Sequence, residues 1–294
     1  MVSAKALAST RRMEGVQRSW YKFSRNRLSI VGLGTVALVT FLALFAPLVA
    51  PYPEHASAFV DFANASRPPS TTYPFGTDVV GRDIMSRVFF GFRFSLVMGV
   101  VVLSLVVPPG VILGLVAGYY QGTWVDTVIM RTTDIFLAVP PLVLALAICS
   151  VLTPNLFNAM LAVSLMWWPW YCRLVYGLAS TLRNEFFVVS AELMGASKFH
   201  ILFREILPNC ISPIFTKMSL DMGWVILIGS SLSFVGLGVQ PPRPGLGTMV
   251  ADGSKYLPDQ WWIAVFPALA IVLVVLGFNL LGDGLRDMLA AEEV

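Results

Sequence analysis

The stretch FVVSAELMGASKFHILFREILPN, Phe187–Asn209, decides how this chain is read. It lies between two runs apolar enough to cross a membrane. Phe186, Phe187, Val188, Ala191 and Met194 recur at helical spacing, with Glu185 and Glu192 beside them. Ile201, Leu202, Ile206 and Leu207 form a second stripe, accompanied by the polar Lys198, His200, Arg204 and Glu205. Between the stripes stand Gly195, Ala196 and Ser197, small enough for a sharp turn and close backbone approach. The pattern predicts two short amphipathic helices, hinged at Gly195, ended by Pro208 and exposed to water on one side of a bilayer. A loop resting on its own membrane has the same stripes. The functional alternative is a lever that a partner grips to move the attached spans.

Composition supports the membrane setting. Of 294 residues, 56% are hydrophobic and 13% charged, with mean hydropathy +0.75. Soluble domains carry about 25% charged residues. A helix needs roughly 20 mostly apolar residues to span a bilayer. Stretches near Ile30–Ala50, Ser95–Gly118, Ile135–Leu152, Asn155–Cys172, Pro213–Val235 and Trp261–Leu281 qualify. These runs are continuous rather than alternating, which argues against a β-barrel.

Charge predicts orientation. Lys5, Arg11, Arg12, Arg18, Lys22, Arg25 and Arg27 precede the first span. Placing them inside puts most of the 20 basic residues on the cytoplasmic face. Both termini are then cytoplasmic. The net charge of +3 reflects this topology and is no nucleic-acid footprint. The first apolar stretch is too long and too late for a cleavable signal. Cys149, Cys172 and Cys210 lack the spacing of a disulfide framework or zinc site.

The expected organisation is a basic tail over 1–29, a first span over 30–50, and an external loop with an interfacial helix over 51–94. A five-helix core follows over 95–289, carrying the loop at 186–209, and then a short tail over 290–294. In the interfacial helix, Asp83 and Arg87 are spaced to pair. Pro108-Pro109 should break or kink the second span, and Pro140-Pro141 and Pro267 interrupt two others. The halves show no internal repeat with matched broken helices, which argues against a secondary transporter.

Four features allow two readings each. Asp78, Arg82 and Asp83 supply either turn and helix-cap chemistry or an external gate or contact surface for an external partner. Arg131 and Asp134 form a local ion pair or a second partner contact. Trp167, Trp168, Trp170 and Tyr171 are taken as a headgroup belt, with a vestibule lining as the alternative. Asp221, an acid within a span, either pairs with Lys217 or lines a translocation path where it attracts a cationic group.

No G-x-x-x-x-G-K-[ST] loop is present, and His55 and His200 are predicted on opposite sides. The chain is expected to be no enzyme, to bind no cofactor or metal, and to take its energy from elsewhere.

The loop resembles the EAA motif of ABC import permeases. Ala191, Gly195, Ala196, Ser197, Leu207, Pro208 and Asn209 match, with Ile201 as the apolar position between. Val189 and Ser190 depart from the Glu-Ala that usually stand there, so one polar contact to the ATPase is missing from the pattern. Phe75–Arg93, Gly114–Asp134 and Phe278–Leu289 are similar to the C-type subunits of dipeptide and oligopeptide importers. Gly236–Met249 is similar too, except that Gly245-Leu246 replaces an acidic-Trp pair.

The resemblance implies an all-α integral membrane protein of six transmembrane helices. It would have the type I ABC importer permease (MetI-like) fold with a cytoplasmic coupling-helix loop. It also implies a bacterial inner-membrane location and an assembly with a homologous permease, two ATPase subunits and an extracytoplasmic solute-binding protein. Those ATPases would use ATP-Mg, acting here through Ala191, Glu192, Gly195, Ala196, Ser197, Arg204, Leu207 and Pro208. The expected cargo is di- or oligopeptides. Nickel chelates, opines or small glycosides are the alternative, and an ion-coupled transporter is a remoter one.

Overall fold

A computed structural model describes residues 20–289; residues 1–19 of the tail expected over 1–29, and the tail expected over 290–294, lie outside the described residues. Helices dominate. The longer ones are α1 (Arg27–Leu44), α2 (Ile84–Tyr119), α3 (Trp124–Leu137), α4 (Pro141–Val151), α5 (Leu156–Leu182), α6 (Phe186–Leu193), α7 (Leu207–Phe234), α8 (Leu246–Ser254) and α9 (Trp262–Leu289). Among the described residues the only β pairing is an isolated bridge between Thr77 and Asp83.

Four helical segments are long and apolar enough to cross a membrane: α1, α2, Lys198–Phe234 and α9. The pair α3–α4 makes a fifth, bent by 86°. The expected span Ile135–Leu152 is therefore not one straight helix. Pro141 disfavours helical geometry at the residue before it, and Pro140 sits at ψ 129°. Pro141 then opens α4, where a missing N–H costs nothing. The 27-residue α5 has the length, but its Asn, Ser and Arg residues dilute its apolar character.

Two features of α2 differ from expectation. Pro108 and Pro109 do not break the span but lie within one 36-residue helix, about 54 Å long at 1.5 Å per residue. The segment expected to lie along the membrane surface is instead the first turns of that same helix. Asp83 caps it by accepting from the Ser86 amide at 2.7 Å. Pro267 likewise sits inside continuous helix.

The main seam runs between α2 and α5. Gly110, Gly114 and Gly118 stand four residues apart on one face of α2. A Cβ at each would lie 2.6–2.8 Å from backbone carbonyls of Trp168, Cys172 and Tyr176. Small residues let membrane helices approach backbone to backbone, where dispersion replaces the hydrophobic effect. Elsewhere many large apolar side chains on α1, α2, α7 and α9 point outward, among them Phe41, Leu44, Val100, Phe215 and Val272. That is the surface expected of helices in lipid.

The ends of α2 define the two ends of the bundle. Residues 51–83 wrap the N-terminal end of α2 as a compact cap. The Trp262 indole donates to Thr77 O at 3.1 Å, and Phe75 stacks on Phe266 at 4.3 Å, so α9 also starts there. Tyr119, at the opposite end, meets the Phe187–Asn209 segment.

Candidate functional site

The segment at the Tyr119 end is an elbow, built largely as expected. Phe186–Leu193 is helical because Val188 and Ala191 bury one face against Val175, Ala179 and Ile201. It ends in a Schellman cap: Ala196 N donates to Ala191 O at 3.0 Å and Gly195 N to Glu192 O at 2.9 Å. Gly195 holds φ +82°, the left-handed conformation that glycine adopts without penalty. A Cβ there would meet nothing within 4 Å, so backbone conformation, not space within this chain, demands the glycine. Two residues later Ser197 accepts from the His200 amide and starts the next helix.

That second helix does not end at Pro208. It passes through a π-helical turn at Ile201–Ile206 and continues as α7 to Phe234. Pro208 falls in the first turn of α7, and the amide of Leu207 reaches back to Leu202 O. The missing donor of a proline and the clash of its ring with the i−4 carbonyl disfavour tight α geometry. The wider π turn accommodates both, and Asn209 Nδ2 donates to Glu205 O at 2.6 Å. Pro208 and Asn209 thus join the elbow rigidly to a spanning helix.

Hydrogen bonds to Tyr119 tie the elbow to α2, and an ion pair closes the elbow on itself. The Tyr119 hydroxyl donates to Glu192; the Lys198 ammonium reaches the same hydroxyl and lies 3.2 Å from Glu192. These hydrogen bonds, that from Tyr119 first, hold the Glu192 carboxyl below the usual carboxylate range. Arg183 donates to Tyr119 O and Gln121 O, both at 3.1 Å, closing the C-terminal carbonyls of α2. Phe186, Leu193, Met194 and Phe199 stand outward, between 71% and 90% exposed. Met194, expected on the stripe with Val188 and Ala191, is therefore on the outer face. Arg204 is exposed as well, whereas Ala196 and Leu207 are half-buried and Pro208 is exposed.

Asp221 is 4% exposed and fully engaged. Lys217 lies 3.1 Å away and the Trp167 indole donates to it at 2.9 Å. The pair flanks an open groove of about 570 Å³ that Thr216, Trp224 and Arg286 also line. Trp167 and Tyr171 are buried at mid-helix in α5, so the belt expected of them is not formed. Asp134 binds Arg173 of α5, not Arg131.

At the cap end, Asp78 accepts from Val80 N at 3.0 Å and Arg82 N at 2.9 Å, and binds Arg82 Nε at 2.7 Å. Gly81, at φ +85°, passes so close to the chain that a Cβ would lie 1.9 Å from Asp61 O. Asp83 is wholly buried at its helix cap, so Arg87 pairs with Asp78 at 3.8 Å instead. Both aspartates take part in turn and cap chemistry, and Asp83 Oδ1 has no hydrogen-bond partner among the described residues.

Residues 110–292 match the model of the binding-protein-dependent transport system inner membrane component family. Residues 16–69 match that of the N-terminal transmembrane domain of oligopeptide transport permease C. The chain belongs to the binding-protein-dependent permease family. It is 41% identical to a di/tripeptide transport system permease protein of Pseudomonas aeruginosa, covering 92% of this chain and 90% of that one. It is 36% identical to a dipeptide transport system permease protein of Haemophilus influenzae, covering 93% and 94%. A glutathione transport system permease protein of Escherichia coli is 42% identical, covering 92% and 88%. This permease is accordingly a transmembrane subunit of an ABC importer, and its elbow carries the segment expected from the EAA motif.

Proposed function

We propose that this permease forms, with a homologous partner, the membrane path for short peptides, and that the elbow at Phe186–Asn209 admits the force that switches the path. The observation that carries this reading is the elbow's construction. An exposed apolar face of Phe186, Leu193, Met194 and Phe199 is rigidly continuous, through the π turn, with the spanning helix α7. A patch of large apolar side chains rimmed by charge fits a protein partner. Two ATPase subunits using ATP-Mg are the partners that family membership suggests. The elbow end is then cytoplasmic, the cap end faces the extracytoplasmic solute-binding protein, and the site is the bacterial inner membrane.

ATP binding would draw the two elbows together and favour one packing of the helices over another. A partner shifts such an equilibrium only through contacts that differ between its states. The peptide cargo rests on the relatives named for dipeptide, tripeptide and glutathione transport. Proton coupling has little support in the membrane, because Asp221 is already held by Lys217 and Trp167.

The test is uptake of labelled dipeptide by the reconstituted importer carrying Gly195→Asn, Gly195→Ala or Gly195→Trp. Asn visits left-handed geometry most readily, so activity should fall in that order while the protein stays inserted. Normal ATP-driven uptake with Gly195→Trp would remove the lever. Charge reversal at Arg204 should weaken ATPase co-purification; unchanged recovery would move the contact off that face.

A further inference from the structure

The cap encloses a cavity of about 180 Å³ between the Asp78–Arg87 segment and α8. Its polar lining is Asp78, Arg82, Arg87, Asp252, Lys255 and Tyr256. Three basic groups thus face two acidic ones. Asp252 is taken by Lys255 at 3.3 Å, which leaves Asp78 for two guanidinium groups. Asp78 is committed to Arg82 at 2.7 Å and reaches Arg87 only at 3.8 Å.

Arg87 is the informative member. It is 6% exposed, and a charge buried that far needs partners to offset its lost hydration. Its Nη1 donates to His55 O at 3.0 Å. Among the described residues, its Nη2 has no hydrogen-bond partner, and neither has either terminal nitrogen of Arg82. Two guanidinium forks therefore border one small cavity with donors to spare, and the cavity's own lining carries one more positive than negative charge.

We propose that this cavity is an anion socket that receives a single carboxylate. Guanidinium groups match a carboxylate by paired, charge-assisted hydrogen bonds. The volume is below the roughly 300–1,000 Å³ of pockets that enclose a whole small ligand, so it admits one functional group rather than a peptide. The carboxylate comes from an acidic side chain of the external binding protein or from the terminus of a free peptide. The inference rests on the orientation proposed above, with the cap facing outward.

The experiment uses the assembled importer in nanodiscs and follows phenylglyoxal modification of Arg82 by mass spectrometry, with Arg67 and Arg243 as references. N-acetylglutamate should slow modification of Arg82 at least threefold, and N-acetylglutamine at equal ionic strength should not. Equal rates with both probes overturn the socket. The binding protein alone protecting Arg82, with Arg82→Glu weakening its association at least tenfold, would identify its acidic side chain as the source. Protection by a free dipeptide but not by its C-terminal amide would identify the peptide terminus. ATP-driven uptake is scored on the same preparation. Uptake with Arg82 unprotected removes the socket and leaves the permease reading; protection without uptake does the reverse.

Discussion

The indole of Trp167 on α5 donates to the carboxylate of Asp221 on α7 at 2.9 Å, while Lys217 holds the same carboxylate from one turn away at 3.1 Å. An acidic group within a membrane bundle is expensive, and here two side chains, one from each of two helices, satisfy it together. The Lys217 ammonium also lies 5.3 Å from the Tyr171 ring centroid and 5.9 Å from that of Trp170. The aromatic run of α5 therefore serves the joint between α5 and α7, the helix that continues from the elbow.

Removing one member of this joint should cost more than removing two. Lys217→Met leaves a buried carboxylate uncompensated, and breaking such a pair costs about 3–5 kcal/mol. The partial exposure of Lys217 to the groove places the expectation at the lower end of that range. Lys217→Met with Asp221→Asn should recover most of the loss. Thermal unfolding of the purified variants gives the cycle, and additive losses would show that the pair is not coupled.

The α2–α5 seam predicts a sharper failure. At Gly114 a Cβ would lie 2.6 Å from the Cys172 carbonyl, and backbone cannot rotate out of the way as a side chain can. Overpacking of this kind typically costs about 1–3 kcal/mol. Gly114→Leu should unfold at lower temperature than wild type and assemble poorly. Gly177→Leu on α5, where a Cβ meets nothing within 4 Å, should be nearly neutral. Equal melting temperatures for the two variants would contradict the seam.

The elbow was legible because its signals are local. Gly195 and Ser197 are a helix stop and a helix start in adjacent turns, and each works through its own backbone. Pro140-Pro141 was legible for the same reason. Pro208 was misread because proline in a first helical turn costs nothing, and the π turn before it leaves no sequence pattern. Arg131 and Asp134 have helical spacing, yet Asp134 prefers Arg173, which the α3–α5 packing alone brings near. Trp167 meets Asp221 from 54 positions away, a distance no periodicity reports. Aromatic residues at helical spacing look alike in a headgroup belt and in a core. The Gly110, Gly114 and Gly118 stripe was present as a small-xxx-small pattern and marks the bundle's main contact.

Acid should release the elbow from α2. The Tyr119 hydroxyl and then Lys198 lower the Glu192 pKa below its ordinary 4.5. A depressed acid contributes stability above its unfolded pKa and loses it as pH falls through the folded value. Hydrogen exchange of the α6 amides should therefore accelerate as pH drops below about 4.5, after correction for intrinsic rates. Tyr119→Phe should shift that acceleration upward in pH; an identical profile would assign the anchoring elsewhere.

The cap should fail over a different window. His55 Nδ1 accepts from the buried Asp83 amide at 2.8 Å, so that nitrogen must carry no proton in the folded cap. Burial lowers the His55 pKa below 6.5, against the pull of Glu54, Asp83, Asp78 and Asp61. The neutral imidazole contributes stability above pH 6.5, and that contribution is lost as pH falls through the folded value. Burial raises the Asp83 pKa, so protonation there runs the opposite way and narrows the net effect. His55→Ala strands a buried amide, at about 1–3 kcal/mol. His55→Asn supplies a carbonyl acceptor that does not titrate. Hydrogen exchange at Asp83 and Ile84 should rise as pH falls below 6.5 in wild type and stay flat in His55→Asn; parallel profiles would exclude His55 as the titrating group.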